Sequence, residues 1–233
     1  MHSPRKVVSL LSVVVAGAWA QGPDSLETAF GRRLEAGKGR FDSAVAGART
    51  VSLEGGWPVA GGGGERGVPL EDFRRVLEAV GAELNPILTK PELAGMRAYV
   101  QRGLAGMEVE TRNTSWGPCV RERDARKVFE SINQMFNRLQ KLDKLKIDLA
   151  VITEPPEAKV QIVALGGGIP TITTSNATIT NLYRGIYTYR VEKAGYRMVE
   201  GPVNLVDERG TKLNCRLAGL ADAGGSAHCR LQE

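Results

Sequence analysis

Residues 186–192 read Ile186-Tyr187-Thr188-Tyr189-Arg190-Val191-Glu192. Five of these seven residues are β-branched or aromatic, the types that suit a pleated, half-buried surface. In an extended chain successive side chains point to opposite faces, so Tyr187, Tyr189 and Val191 share one face and Ile186, Thr188 and Arg190 the other. The first set is the expected core face. The same period of two extends in both directions. Upstream candidates are Asp148–Thr153, Lys159–Leu165 and Ala177–Asn181; downstream ones are Met198–Val199, Val203–Val206 and Lys212–Leu217. Turn formers separate them: Pro155-Pro156, Gly166 to Gly168, Arg184-Gly185, Ala194-Gly195, Gly201-Pro202 and Glu208 to Gly210. Short strands at this spacing predict a small antiparallel β-sandwich over residues 147–233.

Before Ile147 the period becomes helical. The strongest segment runs from about Asp124 to Lys146, where Val128, Ile132, Met135, Leu139 and Leu142 form a seam that Phe129 and Phe136 widen. Two readings of this seam stand: a helix packed on its own domain, or a short coiled coil that makes a homodimer. Residues 121–146 also hold eight Lys or Arg against four Asp or Glu. Arg121, Arg123, Arg126, Lys127, Arg138, Lys141 and Lys144 are therefore candidates for contact with an anionic or protein partner, beside the plainer reading of a solvated helix face. Residues 21–120 read as helices and Gly-rich loop. A helix or two lies within 21–50, with Asp24 or Ser25 as cap, Leu26, Ala29, Phe30 and Leu34 on one face, and Gly37 and Gly39 as interruptions. Residues 51–68, with Gly61 to Gly64 consecutive, read as a mobile loop. A helix then starts at Pro69 and closes at Gly81, with Leu70, Phe73, Val76, Leu77 and Val80 inward. Thr89 and Glu92 make a capping-box pattern ahead of Leu93, Met96, Val100 and Leu104. Residues 106–119 read as irregular. The fold class is α+β, with a helical N-terminal region before the sandwich.

Three pieces of the C-terminal part go together: Pro155-Pro156-Glu157-Ala158-Lys159-Val160, then Gly185-Ile186-Tyr187, then Ala194-Gly195-Tyr196. They resemble a PEGA-type domain, a family similar to the small prealbumin-like or carboxypeptidase-regulatory-like sandwiches. The motif residues are Pro155, Ala158, Gly185, Tyr187, Gly195 and Tyr196. The resemblance covers about residues 147–217. Two places depart from it: Glu157 stands where the family's motif has Gly, and the usual Thr-Pro appears as Pro170-Thr171. The resemblance implies a non-catalytic accessory module of an exported or envelope protein. Independently of it, Gly195 can take a positive φ in a tight turn, and Tyr196 can bury its ring while its hydroxyl reaches a polar partner.

The first 20 residues set the expected compartment. Arg5 and Lys6 precede an apolar run, Val7 to Ala16, and Ala18-Trp19-Ala20 offers small residues to a signal peptidase. This is a secretory signal pattern with Gln21 as the first mature residue, and the run is short of the roughly 20 residues a membrane span needs. Removing residues 1–20 leaves 29 basic against 26 acidic residues, too mild an excess to argue for nucleic acid. Export also frames the three cysteines. Three pairs are possible and spacing alone does not choose among them; Cys215 and Cys229, which enclose a Gly-rich stretch, are the expected disulfide, with Cys119 left buried or paired between chains.

The chain holds two histidines, His2 and His228, so a multi-histidine metal site is excluded after signal removal. No Gly-x-Ser-x-Gly elbow, His-Glu-x-x-His or phosphate-binding Gly-x4-Gly-Lys motif occurs. Gly62, Gly64 and Gly67 fit a dinucleotide spacing, but the residues ahead of them make a poor buried strand. No cofactor is expected. Asn113 and Asn176 begin glycan-acceptor triplets. The expectation is an exported, non-enzymatic binding or scaffolding protein of the cell envelope, with a protein or glycan partner and no membrane span. Its rivals are a hydrolase using paired carboxylates within residues 21–146 and a structural subunit of a secreted assembly.

Overall fold

The computed structural model describes residues 25–53, 65–105, 109, 111–206, 211–222 and 225–232. The signal pattern and the glycine run 61–64 lie outside them.

Helix α1 (Leu26–Gly47) begins at Ser25, whose hydroxyl accepts from the Thr28 amide at 3.2 Å. It is one continuous helix. Gly37 does not interrupt it but lies in its buried stripe with Phe30, Leu34 and Phe41. A Cβ at position 37 would meet Glu83 and Phe136 at 3.5 Å, so this residue lets α1 settle closely on its neighbours. Strands β1 (Val51–Leu53) and β2 (Glu65–Pro69) pair antiparallel, so both ends of the expected loop are ordered sheet. Helix α2 (Leu70–Leu88) runs through both Gly81 and Pro86. Interior Gly and Pro are costly in a helix. Here Leu84, Ile87 and Leu88, all buried, hold the last turns on the core. Thr89 is consequently the C-cap of α2, not the start of the next helix, and its hydroxyl donates to the Pro86 carbonyl at 2.9 Å. A single 3₁₀ turn, Pro91–Leu93, leads into α3 (Ala94–Ala105).

The segment expected to be irregular forms a hairpin, β3 (Thr111–Thr114) and β4 (Gly117–Arg121). It completes a four-stranded antiparallel sheet of order β1-β2-β4-β3. The N-terminal region is therefore helices on a small sheet. Helix α4 (Glu122–Gln140) buries Val128, Ile132, Met135, Phe136 and Leu139. It stops six residues short of the expected Lys146, because Leu145 turns into the core and Lys146 opens a strand. One hydrophobic core joins α1 to α4, and it includes Val206 from the C-terminal part.

The C-terminal part is a two-sheet sandwich. Its strands are β5 (Lys146–Glu154), β6 (Lys159–Ala164), β7 (Thr171–Thr174), β8 (Ala177–Tyr183), β9 (Ile186–Glu192), β10 (Val199–Asn204), β11 (Lys212–Arg216) and β12 (His228–Gln232). One sheet has the order β10-β9-β6-β7 and the other β12-β11-β5-β8. All pairings are antiparallel except β5–β11, which is parallel. Leu149, Val151, Val160, Ile162, Val191 and Leu213, each at most 1% exposed, fill the space between the sheets. The expected turn at Gly201-Pro202 is instead the middle of β10. Proline is tolerated there because β10 is an edge strand with no ladder bond to lose on its free side. Strand β7 and the tail strand β12 were not expected from the sequence.

Tyr187, Tyr189 and Val191 face the core as the alternation of residues 186–192 predicts. Ile186 does not follow its face to solvent: it is 4% exposed, because α3 covers the start of β9. The contact is close. A Cβ on Gly185 would stand 2.4 Å from the Gly95 carbonyl carbon and 2.7 Å from the Met96 nitrogen. A Cβ on Gly95 would meet the Ile186 carbonyl oxygen and the Tyr187 ring at 3.2 Å. Arg97 completes the junction by donating to the Gly166 carbonyl at 2.7 Å, and Arg184 by donating to the Lys144 and Leu205 carbonyls.

Candidate functional site

Two carboxylates are buried among the described residues, and both belong to α2. Asp72 accepts from the backbone amide and Nε of Arg49 through Oδ2, while Arg75 stands 3.3 Å from Oδ1. The hydrogen bond from Arg49 holds the Asp72 carboxyl below its ordinary range against the opposing effect of burial. Glu83 is gripped by two arginines of α1, Arg33 at 2.6 Å and Arg40 at 2.7 Å, and the Arg33 hydrogen bond likewise lowers its pKa. Arg33 and Arg40 are two helical turns apart and flank Gly37, so one face of α1 presents both. A general acid must hold a proton at working pH. Carboxylates tied to guanidinium groups are held in the opposite state. They are also about 16 Å apart along α2, beyond the ~6.5–9.5 Å that an inverting carboxylate pair spans.

The seven basic candidates do not form one patch. Arg121 is half-buried where α4 begins. Arg123 and Lys127 lie within 4.0 Å of Asp124, and Arg126 pairs with Glu122, so acids of the first turn offset the charge there. Arg138 lies in the last turn of α4, about 22 Å from Arg123 along the axis. Lys141 and Lys144 follow beyond the helix in exposed positions. The seam between them is buried in the molecule's own core, as is Cys119 at 0% exposure. Neither the seam nor Cys119 offers a surface for a second chain.

Two grooves accompany α4. One, about 330 Å³, lies between α1 and the end of α4 and is lined by Glu27, Glu35, Asp143 and Lys144 with Phe30, Leu34 and Leu142 among the apolar residues. Its three acids are solvent-exposed, and Glu27 and Glu35 are about 12 Å apart along α1. The other, about 510 Å³, opens where α3 and α4 meet the sandwich. From α3 it takes Tyr99, Arg102 and Gly103; from α4, Ser131, Gln134, Met135 and Arg138; from the sandwich, Ile186 and Asn204. The spacing explains the lining. Residues 131, 134, 135 and 138 fall on one helical stripe, and residues 99, 102 and 103 on another. The composition of 121–146 singled out Arg138. The remaining lining residues carry no motif; the groove opens beside the close approach of α3 and β9 at Gly95 and Gly185.

The motif residues prove to be structural. The Glu154–Pro155 bond is cis, Ala158 is fully buried, and Gly195 has φ +83°. Glu157 has φ +61°, a left-handed conformation that favours glycine. Tyr187 and Tyr189 are buried, which raises both phenolic pKa values. The Tyr187 hydroxyl donates to the Tyr183 carbonyl. Tyr196 is half-buried and bridges to Gly219. A buried polar cluster unremarked in the sequence steadies the proline turn. The Ala158 amide donates to Ser175 Oγ at 2.9 Å, and Thr153 Oγ1 lies 2.6 Å from Ser175 Oγ and 2.7 Å from the Pro155 carbonyl. Cys215 and Cys229 are directly opposed on β11 and β12 and form a disulfide. His228, beside it, is exposed on an edge strand. Asn113 is exposed in β3, and Asn176 takes φ +63° with its side-chain oxygen accepting from the Thr153 amide. No helix among the described residues is long and apolar enough to cross a membrane. The sequence matches no protein-family model, and no curated protein is similar to it.

Proposed function

We propose that this chain is an exported, non-catalytic binding protein of the cell envelope, built from a helical domain fixed to a PEGA-like sandwich. The observation that carries this reading is the preformed groove at their junction, a concave surface of mixed polar and apolar lining in which no carboxylate or imidazole occurs among the described residues. Binding needs such a surface, and its described lining holds none of the carboxylates or imidazoles that acid–base catalysis uses. The disulfide supports an oxidising compartment, and the leader-like residues 1–20 point the same way. The PEGA-like reading is supported by Glu157, which takes a glycine-type backbone at the position where the family's motif has Gly.

The experiment is fractionation of cells expressing the intact gene, with N-terminal sequencing of the protein and mild cross-linking to identify its neighbours. A mature form beginning at Gln21 outside the cytosol, cross-linked to envelope components, supports the proposal. A cytosolic form that retains Met1 overturns it.

A further inference from the structure

We propose that the groove between α1 and the end of α4 docks an extended basic segment of a partner protein, with two basic residues four positions apart and an aliphatic residue midway between them. This goes beyond the binding reading above and concerns the other groove. Its floor is apolar, with Phe30 and Leu34 from α1 and Leu139, Leu142 and Leu145 from the end of α4. Gly31 keeps that floor open. A Cβ there would meet nothing within 4 Å, whereas one at Gly37 would meet Glu83 and Phe136 at 3.5 Å. Packing thus accounts for Gly37 but not for Gly31, although an interior glycine weakens a helix.

Charge selects the occupant. Among the described residues the lining holds three acids, Glu27, Glu35 and Asp143, against one base, Lys144. All three acids are exposed, and no ion pair or hydrogen bond holds their carboxylates among the described residues. Nearby bases are engaged elsewhere: Lys38 pairs with Asp42, Lys146 lies over the Tyr183 ring, and Arg184 donates to two backbone carbonyls. The undescribed residues that adjoin α1, Gln21 to Asp24, bring one acid and no basic side chain. Leu139 and Gln140 bring the C-terminal end of α4 to the groove, and the partial negative charge of a helix C-terminus acts in the same direction. Glu27 also serves the dipole of its own helix in the first turn; Glu35, two turns further on, does not.

Geometry selects the form. A helix is about 10 Å wide with its side chains, too thick for a groove of about 330 Å³, which takes side chains only. Glu27 and Glu35 are about 12 Å apart along α1. In an extended peptide the first, third and fifth residues point the same way, and the outer two are about 13 Å apart. Two basic side chains thus reach the two glutamates while the central one enters the floor, with Asp143 lining the groove from the α4 side.

The test is calorimetric titration of the purified chain with the blocked peptide Lys-Thr-Leu-Thr-Lys. Parallel arms use Glu-Thr-Leu-Thr-Glu, Lys-Thr-Ser-Thr-Lys and spermidine. The first peptide should saturate below about 1 mM with an affinity that falls as salt rises, and the serine peptide should bind about tenfold more weakly. Glu35→Gln and Asp143→Asn, both at exposed positions, should each weaken it about threefold, and Lys144→Gln should strengthen it about threefold. Gly31→Leu should fill the groove and weaken binding at least about tenfold while leaving the thermal midpoint unchanged or higher. The proposal is overturned if the first peptide fails to saturate by about 10 mM, if the acidic peptide or spermidine binds equally well, or if Lys144→Gln binds no more tightly than the parent. A dimer in sedimentation that Gly31→Leu abolishes would assign the groove to a second copy and overturn it too. These affinities do not depend on export, so a cytosolic, unprocessed protein removes the envelope reading and leaves them as measured.

Discussion

Replacing Gly185 by alanine adds one methyl group at the tightest point between the two halves. Its Cβ would lie 2.4 Å from the carbonyl carbon of Gly95, 2.6 Å from its Cα and 2.7 Å from the Met96 nitrogen. Carbon atoms pack best at about 3.5–4.0 Å, so the closest approach falls about 1 Å inside contact. All three atoms are helix backbone, and no side chain can rotate away. Relief requires α3 to shift from the sandwich, which would also disturb the Gly166 site, where a Cβ would lie 2.6 Å from the Ala94 carbonyl oxygen. Gly185 does not have a positive φ, so the substitution reads packing alone. Overpacking of this kind costs about 2–3 kcal/mol. With a urea m-value of about 2 kcal/mol/M, the unfolding midpoint should drop by about 1 M. Gly39→Ala is the control: nothing lies within 4 Å of that position in α1, and removing an interior helix glycine should stabilise by about 0.5–1 kcal/mol. Urea unfolding followed by circular dichroism measures both. Coincident midpoints for Gly185→Ala and the parent would refute the close approach of α3 to β9.

Glu157→Gly should raise Tm by about 2 °C, because relief of left-handed strain exceeds glycine's extra chain entropy and Glu157 is exposed; a lower Tm would show that the turn does not need that backbone. The double change Cys215→Ser and Cys229→Ser opens a loop of sequence separation 14 and should cost about 3 kcal/mol. Adding reductant to the parent should reproduce that loss, while Cys119 should react with a thiol reagent only on unfolding. Asp72 has a folded pKa below its unfolded one, so its contribution is present above the ordinary carboxylate range and lost as pH falls through the folded value. Asp72→Asn should therefore be less stable than the parent at neutral pH and show a flatter decline below about pH 4 in urea titrations at stepped pH. A parallel decline would mean that Asp72 is not the titrating group.

Much of the secondary structure was legible. Strand β9 spans the residues 186–192 whose alternation predicted it, and its three core residues are those the period of two selects. The seam of α4 and the inward faces of α2 and α3 followed from helical spacing in the same way. Those signals are local: a side chain's direction depends on its own backbone and a few neighbours. Boundaries failed where distant packing outweighed local preference. Helix α2 continues past Gly81 and Pro86 because Leu84, Ile87 and Leu88 are buried beyond them. The hairpin β3–β4 exists because β4 finds β2, and β12 because β11 and the disulfide hold it.

The sequence by itself determined an α+β chain and the core face of its central strand; which two of three cysteines join was settled by the fold, which sets Cys215 and Cys229 opposite each other. The tertiary structure decided where the two halves touch, which basic residues come together, and that Arg102 and Arg138 line one cavity. The reason is distance along the chain. Gly95 and Gly185 are 90 residues apart, and neither carries a side chain that could announce the contact. Only folding brings these two backbones together, and the groove is the space left beside them.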